Sequence, residues 1–196
     1  FKDSVRIADE EIYLNEDRRN NPKEVFIQIA DFIKSYDLPE DFSICDVGCA
    51  TGEFLYYVMT QFPHCKLTGF DISSALTTAA QKTLPGAQFI NGSINDEACL
   101  LSRRFDIITF LGSMACLDNP KPALLNLLVA IKKGGRIIIQ DAYNADPIDT
   151  LMRYRRADRE DAPWESGWNI FSCYTIEKIF RESGYAIDFE WHDMVM

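Results

Sequence analysis

The chain has 196 residues, of which 47% are hydrophobic and 26% are charged, and its net charge is −10. This length suits one domain, and no apolar run approaches the ~20 residues that a transmembrane helix needs. The negative charge argues against nucleic acid as a partner, because surfaces that bind phosphates are rich in lysine and arginine. With no secretory leader visible, we expect a cytoplasmic protein with a small-molecule partner and no membrane partner. The sequence does not indicate an oligomeric state.

The alternation of apolar runs and helical patterns is typical of a parallel sheet with helices on both faces. We therefore predict an α/β fold with a doubly wound, mostly parallel sheet. In chain order, the pattern predicts strands at 43–47, 66–70, 87–90, 105–111, 136–140 and 186–196. It predicts helices at 22–36, 53–62, 74–83, 122–131 and 175–183, with Ser73 or Ser74 as the N-cap of the third. Residues 1–21 are assigned to an N-terminal cap or extension, and residues 22–196 to the main domain.

Residues 141–171 form a connection that is long for an α/β fold, where ~2–6 residues are usual. It contains four arginines and two tryptophans. Arginines can hold a carboxylate or phosphate, and tryptophans can stack on a ring or sugar face. We therefore interpret this segment as a substrate-side insertion. Its substrate-binding candidates are Tyr143, Arg153, Trp164 and Trp168. The alternative is a solvated, charged segment in which the tryptophans only pack.

The most informative stretch is the turn after the first strand, where residues 46–52 read D-V-G-C-A-T-G. Glycines leave room for a ligand against bare backbone, and the helix start that follows offers free N–H groups. A nucleotide-like cofactor would therefore fit at the carboxyl end of this strand. The spacing matches neither the G-x-G-x-x-G of nicotinamide-binding domains nor a phosphate loop.

This stretch resembles the first motif of the class I S-adenosylmethionine-dependent methyltransferases, [E/D]-x-G-x-G-x-G, with alanine at the middle glycine. The resemblance covers about residues 22–190. It implies a Rossmann-like fold, S-adenosylmethionine as methyl donor and S-adenosylhomocysteine as product. It also implies that the cofactor is held by the first motif and by the turns after the next three strands. The residues at these positions are Asp46, Gly48, Cys49, Ala50, Gly52, Asp71, Ile72, Ser93, Ile94, Leu111 and Gly112.

The resemblance gives particular roles to the residues after the second and third strands. Asp71 would accept the ribose hydroxyls and Ile72 would pack on the adenine, although an aspartate after a strand can instead be a helix N-cap. Ser93 stands where the family usually has an aspartate. The family closes its sheet with an antiparallel seventh strand. This sequence ends before one could form, so we expect it to be incomplete there. Because it starts at Phe1, a missing N-terminal piece stays open.

Methyl transfer needs the acceptor aligned with the methyl group and water excluded, so no catalytic residue can be assigned from the sequence. Asp141, Tyr143 and His192 lie near strand ends and could face the acceptor, but for each of them we favour a structural role over a catalytic one. Asp141 would suit a metal-dependent branch, but the fourth strand lacks the matching acid. The six cysteines form no C-x-x-C pair, so we predict no metal and reduced thiols.

Three functions remain open. We favour a methyltransferase for a small molecule, acting on a hydroxyl or amine of a metabolite or sugar. The alternatives are a protein or RNA methyltransferase, and a non-catalytic domain that retains the fold.

Overall fold

The computed structural model describes residues 7–96, 100 and 103–193. The start of the predicted cap, Cys99 and the last three residues of the predicted final strand lie outside these ranges. The five strands of the central sheet are β1 Ser43–Val47, β2 Lys66–Asp71, β3 Gln88–Asn91, β4 Phe105–Leu111 and β5 Ile131–Gln140. They are all parallel, in the order β3-β2-β1-β4-β5. The predicted α/β fold with a mostly parallel sheet is therefore confirmed.

Within the described ranges, six α-helices accompany the sheet: α1 Ile7–Asn15, α2 Glu24–Lys34, α3 Glu53–Gln61, α4 Ser74–Thr83, α5 Lys121–Ala130 and α6 Cys173–Glu182. Alternate residues of a strand point to opposite faces of the sheet. Ile107 accordingly packs with α2 and α3, whereas its neighbour Ile108 packs with α5 and α6. Both are fully buried, which explains why β4 reads as an unbroken apolar run. None of the helices among the described residues is long and apolar enough to cross a membrane.

The insertion, residues 141–171, is folded rather than an open loop. Two pairs of short strands organise it. The strands are β6 Tyr143–Asn144, β7 Arg153–Tyr154, β8 Glu165–Ser166 and β9 Phe171–Ser172. β6 pairs with β9 in parallel and β7 pairs with β8 antiparallel. α6 then begins at an N-cap, because the Ser172 hydroxyl accepts a hydrogen bond from the Thr175 N–H at 3.1 Å.

The prediction of a sixth strand is wrong for residues 186–193, which form no strand. The apolar alternation there serves side-chain packing instead of sheet pairing. Ile187 and Phe189 pack on the core between β4, α5 and α6. Trp191 contacts Tyr143 edge to face, with ring centroids 5.1 Å apart, and His192 lies 4.6 Å from Phe32 of α2. An alternation of apolar and polar residues requires only that one side of the chain be buried. Aromatic side chains bury that side here.

Candidate active site

The candidate site lies at the carboxyl edge of the sheet, beside β1. The chain leaves β1 towards β2 on one side and reaches β4 on the other, so the crevice at this edge is the switch point where open α/β sheets bind ligands. A cavity of about 620 Å³ opens there, a size typical of small-molecule sites. Residues of β1, β2 and β4 contribute to its wall, together with the turns after these strands and the turn after β3.

The turn after β1 is held in an unusual backbone conformation. Gly48 and Ala50 have φ angles of +75° and +46°, and a Cβ on Gly48 would lie 2.0 Å from the Ser113 hydroxyl. Gly48 is therefore required both by its conformation and by the close approach of Ser113. Ala50 adopts the left-handed region that glycine prefers. Its N–H donates to the Asp71 carboxylate at 2.9 Å, which fixes the turn to the end of β2.

Asp71 is buried and is one of the residues that line the cavity. Besides the bond from Ala50, it accepts the Ser73 N–H at 2.8 Å. Burial raises its pKa, while the hydrogen bonds from Ser73 and Ala50 act in the opposite direction. The N-cap of α4 is Ser73, whose hydroxyl accepts the Leu76 N–H, as predicted. Ser73 therefore occupies the N-cap position of α4, which was the alternative role for Asp71.

Asp46 lies deeper, at the end of β1, and is 3% exposed. It accepts a hydrogen bond from the Thr109 hydroxyl of β4 at 2.7 Å. Burial raises its pKa to about 7, although the Thr109 hydrogen bond opposes the shift, and the nearby Asp71 charge adds to it. Two acids thus stand side by side at the ends of neighbouring strands, and their charge is costly without a cationic ligand.

This arrangement predicts a pH dependence of stability. Because the pKa of Asp46 rises from 3.8 unfolded to about 7 folded, the folded chain holds the extra proton between these values. The stability that protonated Asp46 contributes is fully present below pH 4 and is lost as the pH rises to 7. We expect Asp46→Asn to be more stable relative to wild type at pH 8 than at pH 5, by urea unfolding without ligand. The exposed Asp31→Asn variant is the control. An equal difference at both pH values for Asp46→Asn would contradict the prediction.

Every predicted cofactor residue except Gly52 lines the cavity. Gly52 lies behind the turn, where a Cβ would meet Phe89 at 3.2 Å and Leu84 at 3.3 Å. Two buried oxygens on the cavity wall have no hydrogen-bond partner among the described residues: Thr51 Oγ1 and Glu53 Oε2, at the start of α3. Buried polar atoms are normally satisfied. Acceptors of this kind suit a ligand with hydroxyl or ammonium donors, as S-adenosylmethionine has, so the site fits that cofactor.

The substrate-binding candidates are only partly brought to the cavity. Trp164 lines it, together with its neighbours Glu165 and Ser166. Tyr143 instead packs on the core and against Trp191. Trp168, with a φ angle of +56°, packs against Tyr154.

Arg153 lies behind the wall of the cavity. It belongs to a group of four residues that we call the insertion clasp: Asp118, Arg153, Ser166 and Asn169. Arg153 forms an ion pair of 3.0 Å with Asp118, and the Ser166 hydroxyl donates to the same carboxylate. Asn169 is 1% exposed. Its amide donates to the Leu117 carbonyl and its oxygen accepts the Met152 N–H, both at 2.7 Å. The clasp thus joins the insertion to the loop after β4.

Sequence reasoning missed the contribution of the N-terminal helix. Glu10 and Tyr13 of α1, with Glu16 just after it, line the cavity. Glu10 accepts a hydrogen bond from Ser73, which anchors α1 over the start of α4. No local signal could place α1 there, since the two partners are 63 residues apart.

Asp141 and His192 do not line the cavity. The Asp141 carboxylate accepts the N–H groups of Ala115 and Ala142, both at 3.0 Å, and so fastens the 3₁₀ turn after β4. The described part of the chain contains no cluster of three or more His, Cys, Asp or Glu that could hold a metal ion.

Comparison with known proteins gives a family. A family described as "Methyltransferase domain" matches residues 38–172. Trans-aconitate 2-methyltransferase from Acidovorax sp. (strain JS42) is 31% identical over 56% of this chain and 42% of its own length. Demethylspheroidene O-methyltransferase from Rhodobacter capsulatus is 32% identical over 57% of the chain and 28% of its own. The chain thus spans less than half the length of these relatives.

Solved structures share the fold. DesVI from Streptomyces venezuelae has a TM-score of 0.63 at 20% identity, covering 94% of this chain and 92% of that one. The sugar N-methyltransferase KedS8 from Streptoalloteichus sp. ATCC 53650 has a TM-score of 0.66 at 17% identity, covering 94% and 87%. The chain therefore belongs to the methyltransferase-domain family, and it has the Rossmann-like fold of the class I S-adenosylmethionine-dependent methyltransferases.

Proposed function

We propose that this enzyme transfers the methyl group of S-adenosylmethionine to a small molecule, at an amine or a hydroxyl. The observation that carries the proposal is the single cavity wall shared by the cofactor motif and the insertion. Asp46, Asp71 and the turn after β1 form one part of it, and Trp164 to Ser166 form another. A donor and a small acceptor placed in the same enclosed space are brought together without a separate recognition domain.

The residues that line the cavity suggest which of them would hold each part of the cofactor. Asp71 would accept the ribose hydroxyls, Ile72 and Ile94 would flank the adenine, and the backbone of Leu111 and Gly112 would adjoin the methionine part. When bound, S-adenosylmethionine supplies a methyl group activated by a positively charged sulfur. The protein's own contribution is to hold that charge next to the buried carboxylates and to exclude water from the acceptor.

A small acceptor fits the chain better than a protein or RNA. The net charge of −10 opposes a polyanion, and the relatives named for trans-aconitate and demethylspheroidene act on small molecules by name. We further propose that residues 1–21 cap the domain formed by 22–196, which the lining by α1 supports. The reaction would use no metal. A cytoplasmic location is also proposed, in which the cysteine thiols would stay reduced.

The cofactor assignment is tested by thermal unfolding with S-adenosylhomocysteine and with NAD. At about 100 times its dissociation constant, a ligand of the folded state adds ~2.7 kcal/mol. We expect S-adenosylhomocysteine to raise the melting temperature by about 5–10 °C and NAD to leave it unchanged. Stabilisation by NAD alone would overturn the assignment.

A further inference from the structure

The cavity has an uneven balance of charge. Among the described residues that line it, seven carry a carboxylate and one, Lys23, carries a positive charge. Lys23 is itself near Glu16, at 3.5 Å. A cleft lined by one sign of charge attracts ligands of the opposite sign and repels those of the same sign. The positive groups of a bound cofactor would offset part of the negative charge near the turn after β1, and the acids on the insertion side would keep theirs.

The arginines of the insertion do not correct this balance. Arg153 is paired with Asp118, Arg156 is paired with Asp158, and Arg155 lies over the Trp164 ring at 5.1 Å from its centroid. Neither these three nor Arg159, the fourth arginine of the insertion, lines the cavity. The expectation that insertion arginines hold a carboxylate or phosphate therefore has no support in their positions, because a carboxylate site normally presents a guanidinium to its ligand.

Glu165 is the acid on the insertion side whose charge is least compensated. Its carboxylate accepts the Tyr154 hydroxyl at 3.1 Å. Within the described residues, no lysine or arginine forms an ion pair with it, whereas Asp118 is paired with Arg153. Glu165 is half-buried beside Trp164, and both line the cavity. Because the Arg155 guanidinium already covers the face of Trp164, the attraction for a cationic ligand at this part of the wall would come from the Glu165 carboxylate.

We infer that the acceptor carries a basic amine rather than a carboxylate, and that Glu165 determines this preference. The inference rests on the proposed function and narrows it to one chemical class. It separates this enzyme from relatives named for trans-aconitate, a tricarboxylate. A carboxylated acceptor would have to enter a wall of acids without an arginine to receive it.

The test is calorimetric binding of a matched pair, benzylamine and benzoate, to the chain saturated with S-adenosylhomocysteine. Trans-aconitate is the third probe. We expect benzylamine to bind at least about tenfold more tightly than either acid. Glu165→Gln keeps an acceptor for Tyr154 but removes the charge, and should weaken benzylamine about 3- to 10-fold. Glu160→Gln is the matched control, since it changes the same charge in the same insertion, away from the cavity.

Equal binding of the pair, including no binding of either at millimolar concentration, overturns the inference, as does tighter binding of an acid. Equal behaviour of the two variants removes Glu165 from it. The same titrations without S-adenosylhomocysteine keep the two proposals apart. If S-adenosylhomocysteine fails to bind, the proposed function fails, and the charge preference is still measured on the chain alone. If it binds and no preference appears, only the inference fails.

Discussion

Asp71→Asn is expected to weaken S-adenosylhomocysteine binding by about 1.5–3 kcal/mol, the range for hydrogen bonds to a charged group. The carboxylate lines the cavity, accepts two backbone N–H groups and adjoins the turn that would surround the ligand. The asparagine retains one acceptor oxygen but loses the charge and half of the acceptor capacity. Calorimetry on the purified variant measures the effect.

The control for this prediction is Asp41→Asn, an exposed acid before β1 that pairs with Lys66. It should bind S-adenosylhomocysteine as wild type does. If Asp71→Asn also binds with wild-type affinity, the carboxylate only organises the turn after β1 and the start of α4, and its proposed role at the ribose is lost.

Asn169→Ala is expected to have the largest effect on acceptor turnover with the smallest effect on the cofactor. The amide links the Leu117 carbonyl to the Met152 N–H, and its loss leaves both without that partner. Each unsatisfied buried group costs about 1–3 kcal/mol; since both of these hydrogen bonds are only partly buried, we expect about 2–4 kcal/mol of lost stability. With the insertion clasp broken, Trp164 to Ser166 no longer hold their place on the wall.

The measurement compares S-adenosylhomocysteine affinity with methyl transfer to an amine acceptor, below the melting temperature of the variant. Affinity should stay within about twofold, while turnover falls at least tenfold. Asn144→Ala is the matched control, because its amide bonds an exposed carbonyl of the same insertion, that of Ile148. If Asn169→Ala loses stability but keeps full turnover, the clasp is only structural.

The sequence predicted β1 and β4 with the bounds that the structure has, because both are buried on two faces and read as short apolar runs. β2 extends one residue further than predicted, and β3 is displaced by one residue at both ends. β5 was predicted from Arg136 but begins at Ile131, where Ile131 pairs with Phe105 ahead of a bulge. The bulge lets the glycines at 134 and 135 lie within the strand.

The site was less predictable than the sheet. Residues on the turns after strands could be found, since parallel strands bring their carboxyl ends together. The position of α1 depends on a contact between Glu10 and Ser73, which no local pattern encodes. The same limit applied to the insertion, where four side chains looked equivalent as substrate candidates. Arg153 pairs with Asp118 instead of lining the cavity. Tyr143 and Trp168 pack against other aromatic side chains.

The strand order has a consequence for how the chain assembles. The first strand of the sheet to be synthesised, β1, is the central one. It can pair with β2 early, whereas its other edge stays unpaired until β4 is made about 60 residues later. An open strand edge on a growing chain is a place for mispairing. Residues on both sides of β1 line the cavity. The cavity is therefore complete only after β4 has paired with β1. S-adenosylhomocysteine added during refolding should therefore select the finished sheet and raise the yield of native chains.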